Sequence, residues 1–382
     1  MEETITIHEP LAPEAAQKPK GRLDSIDIAK GILILAVVLS HAWFANADLL
    51  GNYFPYSMPA FFFLSGYVYK PGRTYLQNIG RRAVQLLVPY FFFSIYCNLL
   101  YPVYINLVNM QLDAASWGAV WLACLKGDAL NMMMSTPMWF LTSLFTASIV
   151  FFAVVNFVRS SRWKTYLTVA VMIGLTVLLV WIKKDNFWPW HLGYALFGCA
   201  MMLVGAYVGQ KKLFSTFRIK TLILGLVLLL VSAVLNKFFP GSGKTSVEQY
   251  IEGDMLYGVV TCFAIALAGS IGLTCVCSLL AKIPGIRQAF GWLGRNTIWI
   301  LCIHYSAIMI IELWLYNHKV LSNSLTQVVM KAMYGWGYVK DKPSDIVVKI
   351  LVALASIGIS AIYAAIHNAV KKSIRKKKAA NA

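Results

Sequence analysis

Charged residues are scarce in this 382-residue chain: they make up 13% of it, while 59% of the residues are hydrophobic. A water-soluble domain of this length needs a far larger share of polar residues to cover its surface. Acidic residues are the scarcest class, since 16 Asp and Glu stand against 34 Lys and Arg, which gives a formal net charge of +18. The basic residues lie between long apolar runs, a pattern typical of orientation in a bilayer and not of nucleic-acid binding. The composition therefore predicts a protein that crosses a membrane several times.

The sequence also lacks the patterns of a metal site or a disulfide framework. Its seven cysteines show no CxxC spacing, and Cys275 and Cys277, two residues apart, point to different faces of a helix. No cluster of His, Cys, Asp and Glu has metal-ligand spacing. We therefore predict no metal site and interpret the cysteines as small apolar packing residues. Residues 1–21 are polar and lack the apolar core of a signal peptide, so we expect a disordered cytoplasmic tail there.

Long apolar runs are what the sequence has in abundance. A membrane-spanning helix needs about 20 mostly apolar residues, and about ten runs meet that criterion. They predict an all-α polytopic membrane bundle of about ten transmembrane helices in one domain, residues 22–368, followed by a basic cytoplasmic tail, 369–382. The ten runs are 26–45, 53–70, 84–108, 137–158, 165–182, 188–209, 219–236, 256–280, 297–316 and 346–367.

The charges of the linkers indicate the orientation of the bundle. Basic residues are enriched in alternate linkers and in the C-terminal tail, whereas most acidic residues lie in the other linkers. Because cytoplasmic loops carry an excess of Lys and Arg, both termini are predicted to be cytoplasmic. The predicted cytoplasmic segments are 70–82, 159–164, 211–220, 282–295 and 371–378.

The first apolar run carries two ionisable groups, Lys30 and His41, that lipid does not favour. They are 11 residues apart, which on a helix is three turns plus about 20°, so both side chains share a face about 16 Å apart along the axis. Asp27 lies three residues before Lys30, close enough to pair with it but too far from His41 to orient its ring. The alternative is a purely structural role, in which Lys30 extends its ammonium to the membrane surface and His41 is a hydrogen-bonded packing residue. Ionisable groups at membrane depth more often mark function.

Five stretches together resemble one family, the integral-membrane acyltransferases of the acyltransferase-3 type, which include fucose 4-O-acetylase-like proteins. Their order and spacing cover residues 22–367. The stretches are "LDSIDIAKGILILAVVLSH", "YSMPAFFFLSGYVY", "RRAVQLLVPY", "PMWFLTSLF" and "LGRNTIWILCIH".

The resemblance implies roles for particular residues. The family typically carries a basic residue, ten intervening residues and an essential histidine, a pattern that Lys30 and His41 match. Its basic cluster after a Ser-Gly pair maps to Arg81 and Arg82. A further basic residue common a few positions later is Gln85 here, which puts any role of that charge in doubt. Family members most often move an acetyl group from acetyl-CoA to sugar hydroxyls of cell-surface glycans.

Acyl transfer to a hydroxyl needs a base that accepts the hydroxyl proton and a binding site for the acyl donor. An imidazole is suited to the base, so we predict His41 as the general base, with Lys30 and Asp27 completing the catalytic set. Acyl-CoA carries several negative charges at its nucleotide end, and basic groups at the cytoplasmic helix ends suit its phosphates. The predicted donor-binding residues are Lys30, Ser65, Arg81, Arg82, Arg295 and Asn296.

The acceptor is predicted to enter from the outer side, where aromatic side chains can stack on sugar rings. The predicted acceptor-binding residues are Trp139, Trp190, His191 and His304. We expect acetyl-CoA or another acyl-CoA as co-substrate with no bound cofactor, and a sugar or polysaccharide acceptor. The expected location is a plasma membrane, multi-pass, in a bacterium, with lipid and not nucleic acid as the surrounding partner.

Two other classes of function compete with this prediction. A secondary transporter or flippase would also place ionisable residues, such as Glu312, among ten helices. It would favour an internal two-fold similarity, which the hydropathy pattern does not show. A structural membrane scaffold would leave the spacing of Lys30 and His41 unexplained.

Overall fold

The computed structural model describes eight parts of the chain, which consist of helices and the turns that connect them, with no β-strand among them. The described residues are 23–42, 54–108, 114–129, 131–182, 188–211, 218–239, 255–327 and 342–380. The α-helices in them are α1 (Asp24–Ala42), α2 (Ser57–Tyr67), α3 (Tyr75–Leu107), α4 (Ala114–Lys126), α5 (Trp139–Val158), α6 (Arg162–Ile182), α7 (Leu192–Gln210), α8 (Ile219–Phe238), α9 (Met255–Leu280), α10 (Pro284–Arg295), α11 (Thr297–Asn317) and α12 (Pro343–Ala380). Short 3₁₀ helices, Met133–Met138 and Pro189–His191, precede α5 and α7.

The predicted membrane bundle is confirmed. In the described ranges, nine helical segments are long and apolar enough to cross a membrane, and each matches one predicted run. The second predicted run, 53–70, contains the eleven-residue helix α2, whose residues are all buried. A helix enclosed by protein on every side need not span the hydrocarbon layer, because the surrounding protein can supply hydrogen-bond partners for the backbone groups at its ends.

The bundle has a buried centre and a lipid-facing rim. The segments of α1 and α7 are mostly buried, and α1 contacts α2, α9, α10, α11 and α12. The segments of α6 and α8 are mostly exposed, and α8 packs chiefly against α9. Because lipid covers the rim in a bilayer, large exposed apolar side chains on α6, α8 and α12 are expected there.

Glycines let two helix pairs approach closely. A Cβ atom at Gly66 of α2 would overlap the Met202 carbonyl of α7. A Cβ atom at Gly294 of α10 would overlap the Asp27 carbonyl of α1, and one at Gly31 would overlap the Phe290 carbonyl. Small residues at such contacts are a common device of membrane helix packing. The α1–α10 contact fixes the point at which α11 begins beside α1.

The structure differs from the sequence prediction at α3. The helix begins at Tyr75, nine residues before the predicted run, with a capping box in which Thr74 and Gln77 each bond the other's backbone N–H. The sequence predicted Arg81 and Arg82 at the start of this helix, but the structure places them about two turns into it. At 33 residues α3 is about 50 Å long, well beyond the roughly 30 Å of hydrocarbon.

Two other elements were not foreseen in this form. Helix α10 lies in what the sequence indicated only as a basic linker. Helix α12 runs without interruption through the predicted basic tail to Ala380. The predicted tail at 1–21 lies outside the described residues.

All seven cysteines are free and buried, as their interpretation as packing residues predicted.

Candidate active site

Two histidines from distant parts of the chain meet inside the bundle. His41, at the C-terminal end of α1, and His304, in the second turn of α11, have Nδ1 and Nε2 atoms 2.9 Å apart. Their ring planes are inclined by 29°. His304 is fully buried, whereas His41 is only partly buried. The bundle thus encloses one imidazole and leaves part of the other accessible.

The backbone determines which nitrogen of each ring carries hydrogen. His304 Nδ1 lies 2.7 Å from the Ile300 carbonyl oxygen, which can only accept, so Nδ1 is the donor. In neutral His304 the Nε2 atom is then an acceptor, and it takes a hydrogen bond from Nδ1–H of His41. The Nε2 atom of neutral His41 therefore carries a lone pair, as a general base requires.

A third ring restrains this pair. Tyr305 packs edge-on against His41, with ring centroids 5.1 Å apart, and is itself buried. The 3₁₀ helix Met133–Met138 packs against α11 in turn. His41 therefore has a fixed ring orientation although it lies near the end of its helix.

A cationic cavity opens at the end of α2 and the start of α3. Its volume is about 410 Å³. Four basic side chains line it, with three aromatic rings and several small polar groups. The lining residues are Ser65, Val68, Tyr69, Lys70, Arg73, Asn78, Arg81, Arg82, Gln85, Phe151 and Phe152.

One of the four cations is held in place. The Arg82 guanidinium donates from Nη2 to the hydroxyl of Ser65, whereas Lys70, Arg73 and Arg81 are exposed. Such a guanidinium presents its remaining N–H groups in a planar fork that matches phosphate oxygens. The cavity is therefore suited to a ligand with more than one phosphate.

The predicted donor-binding residues fall into two groups in the structure. Ser65, Arg81 and Arg82 line the cationic cavity, but Lys30, Arg295 and Asn296 do not. Those three instead lie on or beside the contact of α1 with α10, as does Asp27.

Within this second group the exposures differ. Arg295 is exposed, whereas Asn296 is buried and donates its amide hydrogen to the Trp292 carbonyl at 2.9 Å. Lys30 is partly buried and Asp27 is buried. Helix α1 is continuous, so Lys30 and His41 keep the three-turn separation that the sequence predicted.

Two of the predicted acceptor residues, Trp139 and His191, are in ring contact and the third, Trp190, lies beside His191; we call these three residues the aromatic cluster. The rings of Trp139 and His191 lie 4.6 Å apart, and Trp190 adjoins His191 in the chain. Both Trp190 and His191 have left-handed backbones, with φ of 54° and 51°. Side-chain bonds hold this turn, from Trp190 Nε1 to the Leu125 carbonyl and from His191 Nε2 to the Gly127 carbonyl, each 2.9 Å. His304, the fourth predicted acceptor residue, contacts His41 and no ring of this cluster.

Several residues of the two sites were not singled out from the sequence. Lys70 and Arg73 were interpreted only as orienting charges, although their position before the predicted third helix was a signal for the cavity. Gln85, noted for lacking a charge, lines the cavity. Nothing local marked Tyr305. Among the described residues, no group of three or more His, Cys, Asp and Glu side chains is placed to hold a metal ion.

A family model described as an acyltransferase domain, of the acyltransferase 3 type, matches residues 23–367. No curated protein and no solved structure matches the chain.

Proposed function

The chain belongs to the acyltransferase 3 family, and on this premise we propose that it moves an acetyl or other acyl group from cytoplasmic acyl-CoA to a hydroxyl of a cell-surface sugar or polysaccharide. It is a membrane acyltransferase by family, which favours this function over the transporter and scaffold alternatives. The finer assignments of donor, acceptor and base are the proposal, together with a bacterial plasma membrane as its location.

The observation that carries the proposal is the hydrogen-bonded chain from His41 through His304 to the Ile300 carbonyl. It leaves His41 Nε2 as the acceptor for the proton of an incoming hydroxyl. The hydroxyl oxygen then attacks the thioester carbonyl carbon, forming the new C–O bond. When the C–S bond breaks, the proton on His41 passes to the sulfur of the leaving CoA.

The cationic cavity supports a charged donor. Its volume of about 410 Å³ lies toward the lower end of the range of small-molecule sites, which suits the nucleotide end of acyl-CoA better than the whole molecule. Arg82, held by Ser65, would bind a phosphate through its fork, and the exposed cations would add electrostatic attraction. The uncharged pantetheine arm would then extend between the helices toward His41.

The acceptor site is proposed on the aromatic cluster of Trp139, Trp190 and His191. Consecutive left-handed residues cost free energy and are retained chiefly where function requires them. The hydrogen bonds of Trp190 and His191 hold the indole and the imidazole in a fixed arrangement, which a sugar ring could use as a platform.

The direct test is His41→Ala in purified protein supplied with labelled acetyl-CoA and the surface glycan from cells that lack the gene. We expect transfer to be lost while the protein still inserts into the membrane. His318→Ala is the matched control, because that histidine is exposed at the far end of α11. Near-normal transfer by His41→Ala would remove the base from the mechanism. The ester groups missing from the glycan of the deletion strain would identify the acceptor.

A further inference from the structure

The segment that follows α11, residues 321–327, is buried although its first four residues are a loop, which leads into a helical turn at 325–327. We call it the buried loop; five of its seven residues are at most 3% exposed. Loops usually run over the surface because their polar groups need water. A buried loop is therefore expected to have a specific role.

Two acidic side chains hold the buried loop in place. Glu312 of α11 accepts a hydrogen bond from the Leu325 N–H at 2.7 Å. Asp345 of α12 accepts from the Ser322 N–H at 3.1 Å and also from its hydroxyl. These anchors lie on either side of Asn323, so its position is fixed by both neighbouring helices.

Between and beside the anchors, polar groups are left without partners. Both atoms of the Asn323 amide and the hydroxyl of Thr326 are buried, and neither side chain has a hydrogen-bond partner among the described residues. Leaving a buried amide unsatisfied costs free energy, and such groups are rare in native proteins. Two of them in one firmly anchored loop are therefore available to bond a ligand.

The buried loop is anchored on the face of α11 that carries Tyr305. Glu312, which anchors the loop, is seven residues from Tyr305, or about two turns along one face of the helix. Tyr305 in turn packs against the His41 ring at 5.1 Å. The buried loop is therefore anchored to α11, the helix whose His304 and Tyr305 contact the proposed base.

We propose that Asn323 and Thr326 bind hydroxyl groups of the acceptor sugar, an inference that rests on the proposed function. An amide and a hydroxyl each donate and accept hydrogen bonds, as sugar hydroxyls do. Neither group carries charge, and both anchors, Glu312 and Asp345, are acidic, so a neutral polyol fits better than a phosphate or carboxylate. The two residues would orient the acceptor while the aromatic cluster binds its ring.

The test compares Asn323→Leu and Thr326→Val, which remove the polar groups and nearly keep the volumes. Since an apolar side chain no longer carries unsatisfied polar atoms, each variant should unfold at the same temperature as the wild type or a higher one. Transfer from acetyl-CoA to the unacetylated glycan should fall about ten-fold or more in each, the loss expected for a ligand hydrogen bond. Hydrolysis of acetyl-CoA in the absence of glycan should not change.

Thr274→Val is the matched control. This threonine is also fully buried, but its hydroxyl already donates to the Ser270 carbonyl within α9. The variant should keep wild-type transfer.

Three results would overturn the inference. Wild-type transfer by both loop variants would mean that buried water satisfies these groups. Lower thermal stability with equal losses of transfer and hydrolysis would show a structural role. A wild-type protein that transfers no acetyl group from acetyl-CoA would refute the proposed function itself, and the first two results leave that function intact.

Discussion

Replacing His304 tests whether the histidine pair acts as proposed. The Nε2 atom of His304 accepts the hydrogen bond from His41, and this bond strengthens when His41 takes up a proton and becomes charged. Hydrogen bonds to charged groups contribute roughly 1.5–3 kcal/mol. The neutral bond, which contributes roughly 0.5–1.5 kcal/mol, is already present before reaction, so only the strengthening of about 1–1.5 kcal/mol affects kcat. Its loss lowers kcat by roughly 5- to 10-fold, at about 1.4 kcal/mol per factor of ten.

Two amide substitutions separate the two bonds of His304. In His304→Gln the side chain is long enough for its amide oxygen to replace Nε2 and accept from His41. In His304→Asn the shorter amide can replace Nδ1 and donate to Ile300, but it does not reach His41. We expect the Gln variant to keep more of the kcat than the Asn variant, with an unchanged KM for acetyl-CoA in both.

The assay is steady-state transfer of labelled acetyl groups to the glycan, alongside thermal unfolding of each purified variant. A purely structural role for His304 would lower thermal stability and activity in parallel. The reasoning is refuted if His304→Asn retains wild-type kcat, or if both variants lose the same activity while remaining equally folded.

Two further predictions concern the donor site and the packing of α1. Arg82→Gln should raise the KM for acetyl-CoA about ten-fold or more with little change in thermal stability, because a phosphate loses its charged partner. Arg218→Gln, at an exposed arginine, is the control. An unchanged KM in Arg82→Gln would exclude the cavity as the donor site. Gly294→Ala should destabilise the protein by about 1–3 kcal/mol or more and reduce transfer, because the new methyl group overlaps the Asp27 carbonyl. Gly285→Ala on the same helix places its methyl group in open space and should be tolerated. Thermal unfolding and transfer rates of both variants would check this.

Much of the fold could be predicted because membrane insertion is a local requirement. Each crossing needs about 20 apolar residues in sequence, whatever the rest of the chain does. Helix α10 escaped this criterion because it is only twelve residues long and carries Arg287 and Arg295 on a polar face. Its apolar face can be recognised as a packing surface only in the folded structure, where it lies against α1.

The candidate site was predictable only where its parts are close in the chain. Lys30 and His41 share one helix, and Arg81 and Arg82 are adjacent, so spacing and charge alone singled them out. The bond between His41 and His304 joins residues 263 positions apart, and no periodicity indicates it. The amide of Asn323 could be recognised only as a buried group without a partner, which is a property of the folded structure.

The histidine chain also explains how a base can be oriented at membrane depth without a fixed charge. A carboxylate in the place of His304 would stabilise a protonated His41 more strongly, but burying that charge beside a neutral imidazole is costly in a membrane interior. A neutral His304 avoids that cost, and its orientation is set by the Ile300 carbonyl one turn earlier in α11. The register of the two imidazoles depends on the Asp27–Gly294 contact, because that contact holds α10, and with it the start of α11, against α1. Substitution of Gly294 should therefore disturb catalysis through this register, in any variant protein that still folds.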